Sequence, residues 1–285
     1  MKFIIIFLFI ICAYTFDNDR NQNQCDDMCS LNINEIDISK FISGTNEEKK
    51  EIALLFDKTF HEYGIIRLIN TNITSKLMDK TKEFFLLNLE TKLKYYLKGP
   101  YYDTPGYKPI GLESAANYKG EKKSSPPDSV EVFFSILKSQ SKQFNFSNDQ
   151  LHEMFRDVLP EYILKSRQLI SYVHNIADMA LELDDNTFDK NYANDNAIFM
   201  VRLAKYIPMK NEQQSALGEH QDYLGFTLIQ NDDVPGLEVN LNGKWFRVES
   251  KPDTLLLVAG EFIEIWTNNY WRSILHRVAA VNQLR

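Results

Sequence analysis

Apolar residues recur along the chain with two different periods, and the change of period divides the chain into parts. Between residues 45 and 183, three stretches repeat apolar residues every three or four positions, which is the spacing of helices with one buried face. From residue 197 onward, short apolar runs alternate with turn sequences. The pattern therefore predicts helices in the first part and a region of strands at the end.

Two of the three predicted helices have sequence signals at their ends or inside them. Thr45 or Asn46 is a preferred residue type before a first helical turn, and Gly64 is typical of a helix end. Pro160 lies inside the third apolar repeat and is expected to kink or divide that helix. The predicted helices cover residues 45–64, 75–89 and 149–183.

Short apolar runs predict many strands separated by tight turns. Asn242-Gly243 between two such runs is typical of a β-hairpin. Many short strands favour a sandwich or barrel, and a double-sheet jelly roll can hold a recessed metal ion. We therefore expect an α+β fold with a mainly β core, in which a double-stranded β-helix (jelly roll) has flanking helices. The predicted strands are residues 33–38, 65–69, 130–136, 197–206, 226–229, 237–241, 245–248, 254–258, 262–266 and 276–281.

Residues 99–129 are rich in proline and glycine, which exclude a long regular element there. Long irregular segments inside a domain are often functional, so residues 101–118 are expected near the mouth of a pocket. The alternative is a surface loop anchored by its tyrosines.

The N-terminus has its own pattern. Lys2 precedes an apolar run from Phe3 to Ala13, too short to span a bilayer, which predicts a signal peptide over residues 1–15. The alternatives are a buried N-terminal strand and an uncleaved anchor. A signal peptide implies the secretory pathway, either the ER lumen or secretion, with no stable membrane insertion after its removal.

A polar linker is predicted over residues 16–30, after the apolar run. It contains Cys25 and Cys29, which could form a small-loop disulfide or remain as two free thiols.

Composition narrows the function classes. The 285-residue chain is 44% hydrophobic and 25% charged, with a formal net charge of −7, values typical of a globular protein. The mild negative charge argues against nucleic acid as a partner. The sequence carries no signal for an oligomeric state.

Two histidines and one aspartate are candidate metal ligands. His220 and Asp222 are one residue apart and would share one face of a strand, while His276 follows 56 positions later. Two imidazoles and a carboxylate on one side of a metal leave positions open for iron(II) to bind a cosubstrate and dioxygen. Zinc is the competing ion, but the HExxH motif of many zinc hydrolases is absent from the sequence.

The residues around these candidates resemble the iron(II)/2-oxoglutarate dioxygenase family that includes isopenicillin N synthase. The resemblance extends over residues 32–285 and is strongest after Arg202. In the C-terminal part it rests on Gly218 to Leu228, Pro235 to Val239, Gly243 to Trp245, Gly260-Glu261, Trp266 to Tyr270 and Leu275 to Val278. In the N-terminal half it rests on Ile36 to Ile38, Gly64 to Asn70 and Asp79 to Phe85.

The resemblance implies roles for five residues. His220, Asp222 and His276 would bind the iron. Arg285 matches the arginine that holds a carboxylate of the cosubstrate or substrate, and Tyr206 matches a tyrosine that donates to the same ligands. The family's serine and its closing strand and helix would follow Arg285, so we expect a jelly roll that is incomplete at the C-terminus.

The chain departs from the family pattern at two positions. An asparagine common two positions before the tyrosine is Ala204 here, and a histidine common after Asn70 is Thr71.

The resemblance implies a non-haem iron(II) oxygenase that uses O2 and 2-oxoglutarate to hydroxylate, desaturate or cyclise a small organic substrate. One alternative is an oxidase similar to isopenicillin N synthase, which needs no 2-oxoglutarate. The other is an inactive jelly-roll protein that only binds ligands. Residues 31–140 would form the N-terminal dioxygenase region, residues 141–195 a helical connection and residues 196–285 the jelly-roll core.

Overall fold

The computed structural model describes residues 7–15, 29–74, 76–98, 104–112, 115, 127–138, 153–192, 198–207, 215–232 and 234–280. The helices are α1 (Ile38–Ser43), α2 (Asn46–Glu62), α3 (Lys76–Leu86), α4 (Leu89–Leu93), α5 (Val158–Ala180), α6 (Thr187–Tyr192) and α7 (Glu261–Trp266). The strands are β1 (Phe7–Thr15), β2 (Ser30–Leu31), β3 (Glu35–Asp37), β4 (Ile65–Ile69), β5 (Gly106–Lys108), β6 (Val130–Lys138), β7 (Ile198–Tyr206), β8 (Ser215–His220), β9 (Phe226–Asn231), β10 (Leu237–Leu241), β11 (Lys244–Val248), β12 (Leu255–Ala259) and β13 (His276–Ala279).

The strands form two sheets. The larger sheet has the order β3-β4-β12-β9-β1-β7-β6-β5, and the smaller sheet has the order β2-β11-β10-β13-β8. Within the described residues they do not close into a barrel. The predicted fold class is confirmed: a sheet-rich jelly roll with flanking helices.

The alternation of side chains along β7 shows where the core lies. Leu203 packs with the helices on one face of the larger sheet, whereas Ala204 packs with residues of the smaller sheet on the other face. One apolar core therefore lies between the helices and the larger sheet. A second core lies between the two sheets and surrounds the candidate ligands.

Helix α2 follows the sequence prediction closely. Thr45 caps it in a capping box with Glu48, which satisfies backbone N–H groups of the first turn. Gly64 follows the helix with φ +69, and a Cβ there would lie 2.4 Å from the carbonyl oxygen of Arg272. This close approach places the end of α2 against the segment that leads to His276.

One helix prediction and one strand prediction were wrong in detail. The predicted third helix is shorter, because α5 begins at Val158. Pro160 does not divide it, since its position in the first turn has no intrahelical acceptor for an N–H group. The predicted strand at residues 262–266 is instead helix α7, in which Ile263 is buried while Ile265 is 68% exposed. Five residues are too few to separate a period of two from a period of 3.6.

Residues 7–15 form strand β1, which lies between β7 and β9 and runs parallel to both. A strand in this place is the alternative to the signal peptide. The signal peptide remains a prediction. Residues that form a strand in the uncleaved chain can still be removed as a leader from the mature chain. No helix among the described residues has the length and apolarity needed to cross a membrane.

Several other predictions fall outside the described residues. Most of residues 101–118 and of the linker 16–30 lies there, as do Cys25 and residues 139–152, where the boundary at residue 140 was predicted. Cys29 is exposed.

Candidate metal centre

The two candidate histidines face each other across neighbouring strands of the smaller sheet. His220 is the last residue of β8 and His276 is the first residue of β13, and these residues are partners in the antiparallel pairing. Their ring centroids are 4.3 Å apart. Asp222 Oδ1 lies 3.7 Å from Nε2 of each histidine. The three residues are the group within the described chain that could hold a metal ion.

The other ring nitrogen of each histidine fixes its tautomer. His220 Nδ1 lies 2.9 Å from the carbonyl oxygen of Gly218, and His276 Nδ1 lies 3.1 Å from that of Ile274. A carbonyl oxygen only accepts, so both Nδ1 atoms carry the proton and both Nε2 atoms present a lone pair. This is the tautomer that binds a metal through Nε2.

Three electron-pair donors therefore converge without a hydrogen between them. Asp222 Oδ2 and His276 Nε2 are buried and have no hydrogen-bond partner in the described structure. Buried acceptors that face one another are costly unless a cation lies between them. The donor set fits a divalent metal with open coordination positions.

Burial keeps His220 in its metal-binding form. Burial, followed by the proximity of His276, lowers the pKa of His220 from 6.5 to about 4, and Asp222 opposes the shift only in part. The His220 imidazole is therefore neutral at physiological pH, as a metal ligand must be.

The family comparison decides which metal chemistry this site performs. The family model described as the 2OG-Fe(II) oxygenase superfamily matches residues 198–285, which contain the whole triad. The model described as the N-terminal region of a non-haem dioxygenase in morphine synthesis matches residues 33–154. The chain belongs to the 2OG-Fe(II) oxygenase superfamily. It is an oxidoreductase whose cofactor is Fe(II) and whose cosubstrate is 2-oxoglutarate, as the resemblance implied.

The chain is also similar to individual proteins, in sequence or in fold. The chain is 26% identical over 270 residues to leucoanthocyanidin dioxygenase of Malus domestica, covering 92% of this chain and 71% of the relative. The fold is similar to that of a full-length Neurospora crassa protein in complex with alpha-KG, with a TM-score of 0.72, 23% identity and coverage of 90% and 83% of the two chains. It is also similar to JOX2 in complex with 2OG, Fe and JA, with a TM-score of 0.73, 21% identity and coverage of 93% and 78%.

The position of Asp222 in this oxygenase differs from the sequence prediction. Strand β8 ends at His220, so Asp222 lies in the following loop rather than beside His220 on a strand. The loop is held by two backbone hydrogen bonds, from Glu261 N to Asp222 O at 2.7 Å and from Gly260 N to Gly225 O at 2.8 Å. The start of α7 therefore positions the carboxylate of this candidate metal ligand.

Gly260 is a positioning residue that the sequence analysis did not identify as part of the site. A Cβ on residue 260 would lie 2.1 Å from Leu224 O and 2.9 Å from Asp222 O, so Gly260→Ala must displace the loop. We expect iron affinity to fall about 10- to 100-fold, as for other residues that orient metal ligands. Anaerobic Fe(II) titration measures this loss.

Gly44→Ala is the matched control for the Gly260 substitution. Gly44 follows α1, and a Cβ there would lie 2.3 Å from Lys40 O, which is a similarly close clash with a segment that carries no metal ligand. Gly44→Ala should reduce stability by about 1–3 kcal/mol and leave iron affinity unchanged. Equal losses of iron affinity in the two variants would contradict the positioning role of Gly260.

Other side chains tie the two ligand segments together. Gln221, between His220 and Asp222, donates from Nε2 to Ser273 O at 2.8 Å. Asp57 on α2 accepts from the Trp271 indole N–H at 2.8 Å and from the Tyr270 hydroxyl at 2.9 Å. These bonds hold the loop before His276 against the helical layer. Nothing in the sequence around Gln221 and Asp57 indicated that these residues hold the two ligand segments in place.

The structure describes one of the two residues that were predicted to bind the cosubstrate. Tyr206 is buried at the end of β7, in the core between the sheets, and its hydroxyl accepts from Arg202 Nη1 at 3.4 Å. Arg285 lies outside the described residues. The cosubstrate roles of both residues remain predictions.

The sequence contains three further histidines, His61, His152 and His174. His61 contacts Tyr270 O through Nδ1 at 2.9 Å, and His174 contacts Asp189 at 2.6 Å. Neither belongs to a metal-binding group among the described residues. His152 lies outside the part of the chain that the structure describes.

Proposed function

We propose that this oxygenase couples the oxidative decarboxylation of 2-oxoglutarate to the hydroxylation or desaturation of a small organic substrate at the His220, Asp222 and His276 centre. One atom of O2 enters succinate as CO2 leaves C1 of 2-oxoglutarate. The other atom enters the hydroxylated product, or leaves as water when two C–H bonds are replaced by a double bond. The observation that carries the proposal is the convergence of three electron-pair donors, among them two buried atoms that no hydrogen bond satisfies in the described structure.

Each residue of the centre has a distinct task in this proposal. His220 and His276 would bind the metal through Nε2, because their Nδ1 atoms are occupied by hydrogen bonds to backbone carbonyls. Asp222 supplies a negative charge, which favours the binding of a divalent cation over a neutral water molecule at this buried site. When bound, iron(II) supplies the activation of dioxygen. Tyr206 and Arg285 would hold the cosubstrate through its carboxylate.

Succinate formation tests the proposal. The 285-residue chain, incubated with Fe(II), O2 and 2-oxoglutarate, should release succinate, slowly without a substrate and faster with one. Replacing Fe(II) with Zn(II) should abolish release while the protein remains folded. Succinate release with zinc equal to that with iron, or no release with either metal, would contradict the proposal.

We also propose that the chain enters the secretory pathway. The support is the sequence pattern of Lys2 followed by the apolar run from Phe3 to Ala13. N-terminal sequencing of the protein purified from eukaryotic cells should give a mature chain that begins near residue 16. Inserting two aspartates into the run should keep the protein in the cytosol. A mature chain that retains residues 1–15 would contradict cleavage and favour β1 as a permanent strand of the sheet.

A further inference from the structure

Strand β8, which ends at His220, is paired irregularly. It is the last strand of the smaller sheet, so among the described strands only β13 pairs with it. Between its paired residues Leu217 and His220, β8 has two further residues, whereas β13 has one between their partners. An extra residue of this kind disrupts the ladder and bends the strand. The pairing with β13 therefore does not by itself fix the backbone just before His220.

The carboxylate of Asp128 bonds to the other edge of β8. Asp128 Oδ1 accepts from Gly218 N at 2.8 Å. The next residue, Ser129, donates from its backbone N to Ala216 O at 3.1 Å. Ala216 and Gly218 are two residues apart, so their backbone groups face the same edge of the strand. Residues 128 and 129, which lead into β6, thus lie where a neighbouring strand would pair.

Gly218 connects Asp128 to the imidazole of His220. Its N–H donates to the Asp128 carboxylate, and its carbonyl oxygen lies 2.9 Å from His220 Nδ1. Because both bonds belong to one residue, a shift of Gly218 away from Asp128 would also displace the acceptor of the imidazole. The bond at Nδ1 sets the orientation and the tautomer of a histidine that binds a metal through Nε2. The orientation of His220 thus depends on a carboxylate outside the three candidate ligands.

A second bond restrains the Asp128 carboxylate. Asp128 Oδ2 accepts from Ala115 N at 2.6 Å. Asp128 is 4% exposed, and Ala115 is buried in the core between the two sheets. Both oxygens accept from N–H groups, as an ionised carboxylate does, and such bonds are shorter and stronger than those between neutral groups. The two bonds restrict the rotation of the carboxylate, so it is a firm anchor for β8.

We propose that Asp128 is a positioning residue of the iron centre, which fixes the orientation and the tautomer of His220 through Gly218. The inference rests on the proposed function, because it concerns the same centre. It also gives a role to the proline- and glycine-rich part of the chain, since Ala115 is bonded to the carboxylate that anchors the strand of His220.

Anaerobic Fe(II) titration of two variants tests the proposal. Asp128→Ala removes both acceptor oxygens, and we expect iron affinity to fall about 10-fold. This is the lower end of the range for groups that orient metal ligands, because Asp128 acts through one further residue. Asp128→Asn has nearly the same volume and keeps one acceptor oxygen, so it should lose less affinity than Asp128→Ala.

The imidazole of His220 provides a readout that a loss of stability alone would not change. The chain has five histidines, so ¹⁵N NMR of the metal-free chain can follow each ring, with the signals of His220 assigned from His220→Gln. In the unsubstituted chain the proton should reside on Nδ1. In Asp128→Ala the acceptor at Gly218 is no longer fixed, so both tautomers should be populated.

Asp178→Asn is the matched control. Asp178 on α5 is 3% exposed, and its Oδ1 accepts from Phe188 N at 3.0 Å. The substitution therefore also alters a buried carboxylate that is bonded to a backbone N–H group, but it lies between α5 and α6, which carry no metal ligand. Asp178→Asn should lower the melting temperature and leave both iron affinity and the His220 ring unchanged.

Three results would overturn the proposal. These are an unchanged iron affinity in Asp128→Ala, a His220 tautomer that is unchanged in that variant, and an equal loss of iron affinity in Asp178→Asn. If Asp128→Ala does not fold, the same two measurements on Asp128→Asn decide. Neither measurement requires turnover, so a lack of succinate formation would refute the proposed reaction separately from the role of Asp128.

Discussion

Replacing Asp222 with alanine is expected to abolish iron-dependent succinate formation without unfolding the protein. Asp222 supplies the negative charge of the triad and lies 3.7 Å from both Nε2 atoms. Its loss removes more than an orienting contact, so iron affinity should fall by at least about 100-fold. Anaerobic Fe(II) titration and succinate assays measure the two effects.

The stability of the metal-free variant provides a sharper test. In the metal-free chain Asp222 Oδ2 is buried without a hydrogen-bond partner among the described residues, so its removal should leave the melting temperature unchanged or higher. Added Fe(II) should raise the melting temperature of the unsubstituted chain only, because a ligand stabilises by its binding free energy.

Glu219→Gln is the control for the Asp222 substitution. Glu219 is an exposed carboxylate next to His220 and should be dispensable for iron binding. If Asp222→Ala bound iron as tightly as Glu219→Gln, the triad would not be the metal site.

Replacing Glu131 with glutamine is expected to reduce the free energy of unfolding by about 3–5 kcal/mol at pH 7, the usual effect of breaking a buried ion pair. Glu131 is 6% exposed on β6. It forms an ion pair with Lys92, accepts from the Tyr107 hydroxyl at 2.8 Å and lies 3.3 Å from Lys205. Glutamine would leave the buried Lys92 ammonium and the partly exposed Lys205 ammonium without this anion. Urea unfolding measures the change.

The effect of Glu131 should depend on pH. Burial alone would raise its pKa, but the hydrogen bonds from Lys92 and Tyr107 and the charge of Lys205 outweigh burial and lower the pKa below 4.5. The stabilisation is therefore fully present above pH 4.5 and is lost as the pH falls through the lowered pKa. The unsubstituted chain and Glu131→Gln should become more alike in stability in strong acid.

Glu83→Gln is the matched control for the Glu131 substitution. Glu83 forms a 2.7 Å ion pair with Lys80 on the exposed surface of α3. Its removal should cost less than about 1 kcal/mol, since water screens exposed pairs. Equal losses in the two variants would show that the buried network around Glu131 does not stabilise the fold.

The grouping of the three candidate metal ligands could be predicted from sequence because their chemistry and spacing are distinctive. Two histidines and an aspartate in a series of short strands indicated the site, and the resemblance assigned the metal. The contacts that position Asp222 could not be predicted. Strand β8 ends at His220, and Gly260 approaches the loop after it, because of contacts between residues distant in sequence. The sequence shows that residue 260 is a glycine, but it does not show which backbone segment lies close to it.

Other features escaped prediction for physical reasons. The apolar run at residues 3–13 has a composition that suits both a signal peptide and a strand, and only the fold places residues 7–15 beside β7 and β9. Residues 261–266 are too few for a period to be read, so their helix was predicted as a strand.

The stoichiometry of oxygen and 2-oxoglutarate consumption tests the central claim most directly. With Fe(II) present, the chain should consume O2 and form succinate in equal amounts, and omitting 2-oxoglutarate should stop both. O2 uptake that continues without 2-oxoglutarate would contradict this account in favour of an oxidase. Tight metal binding with no O2 uptake under any condition would contradict it in favour of a ligand-binding protein.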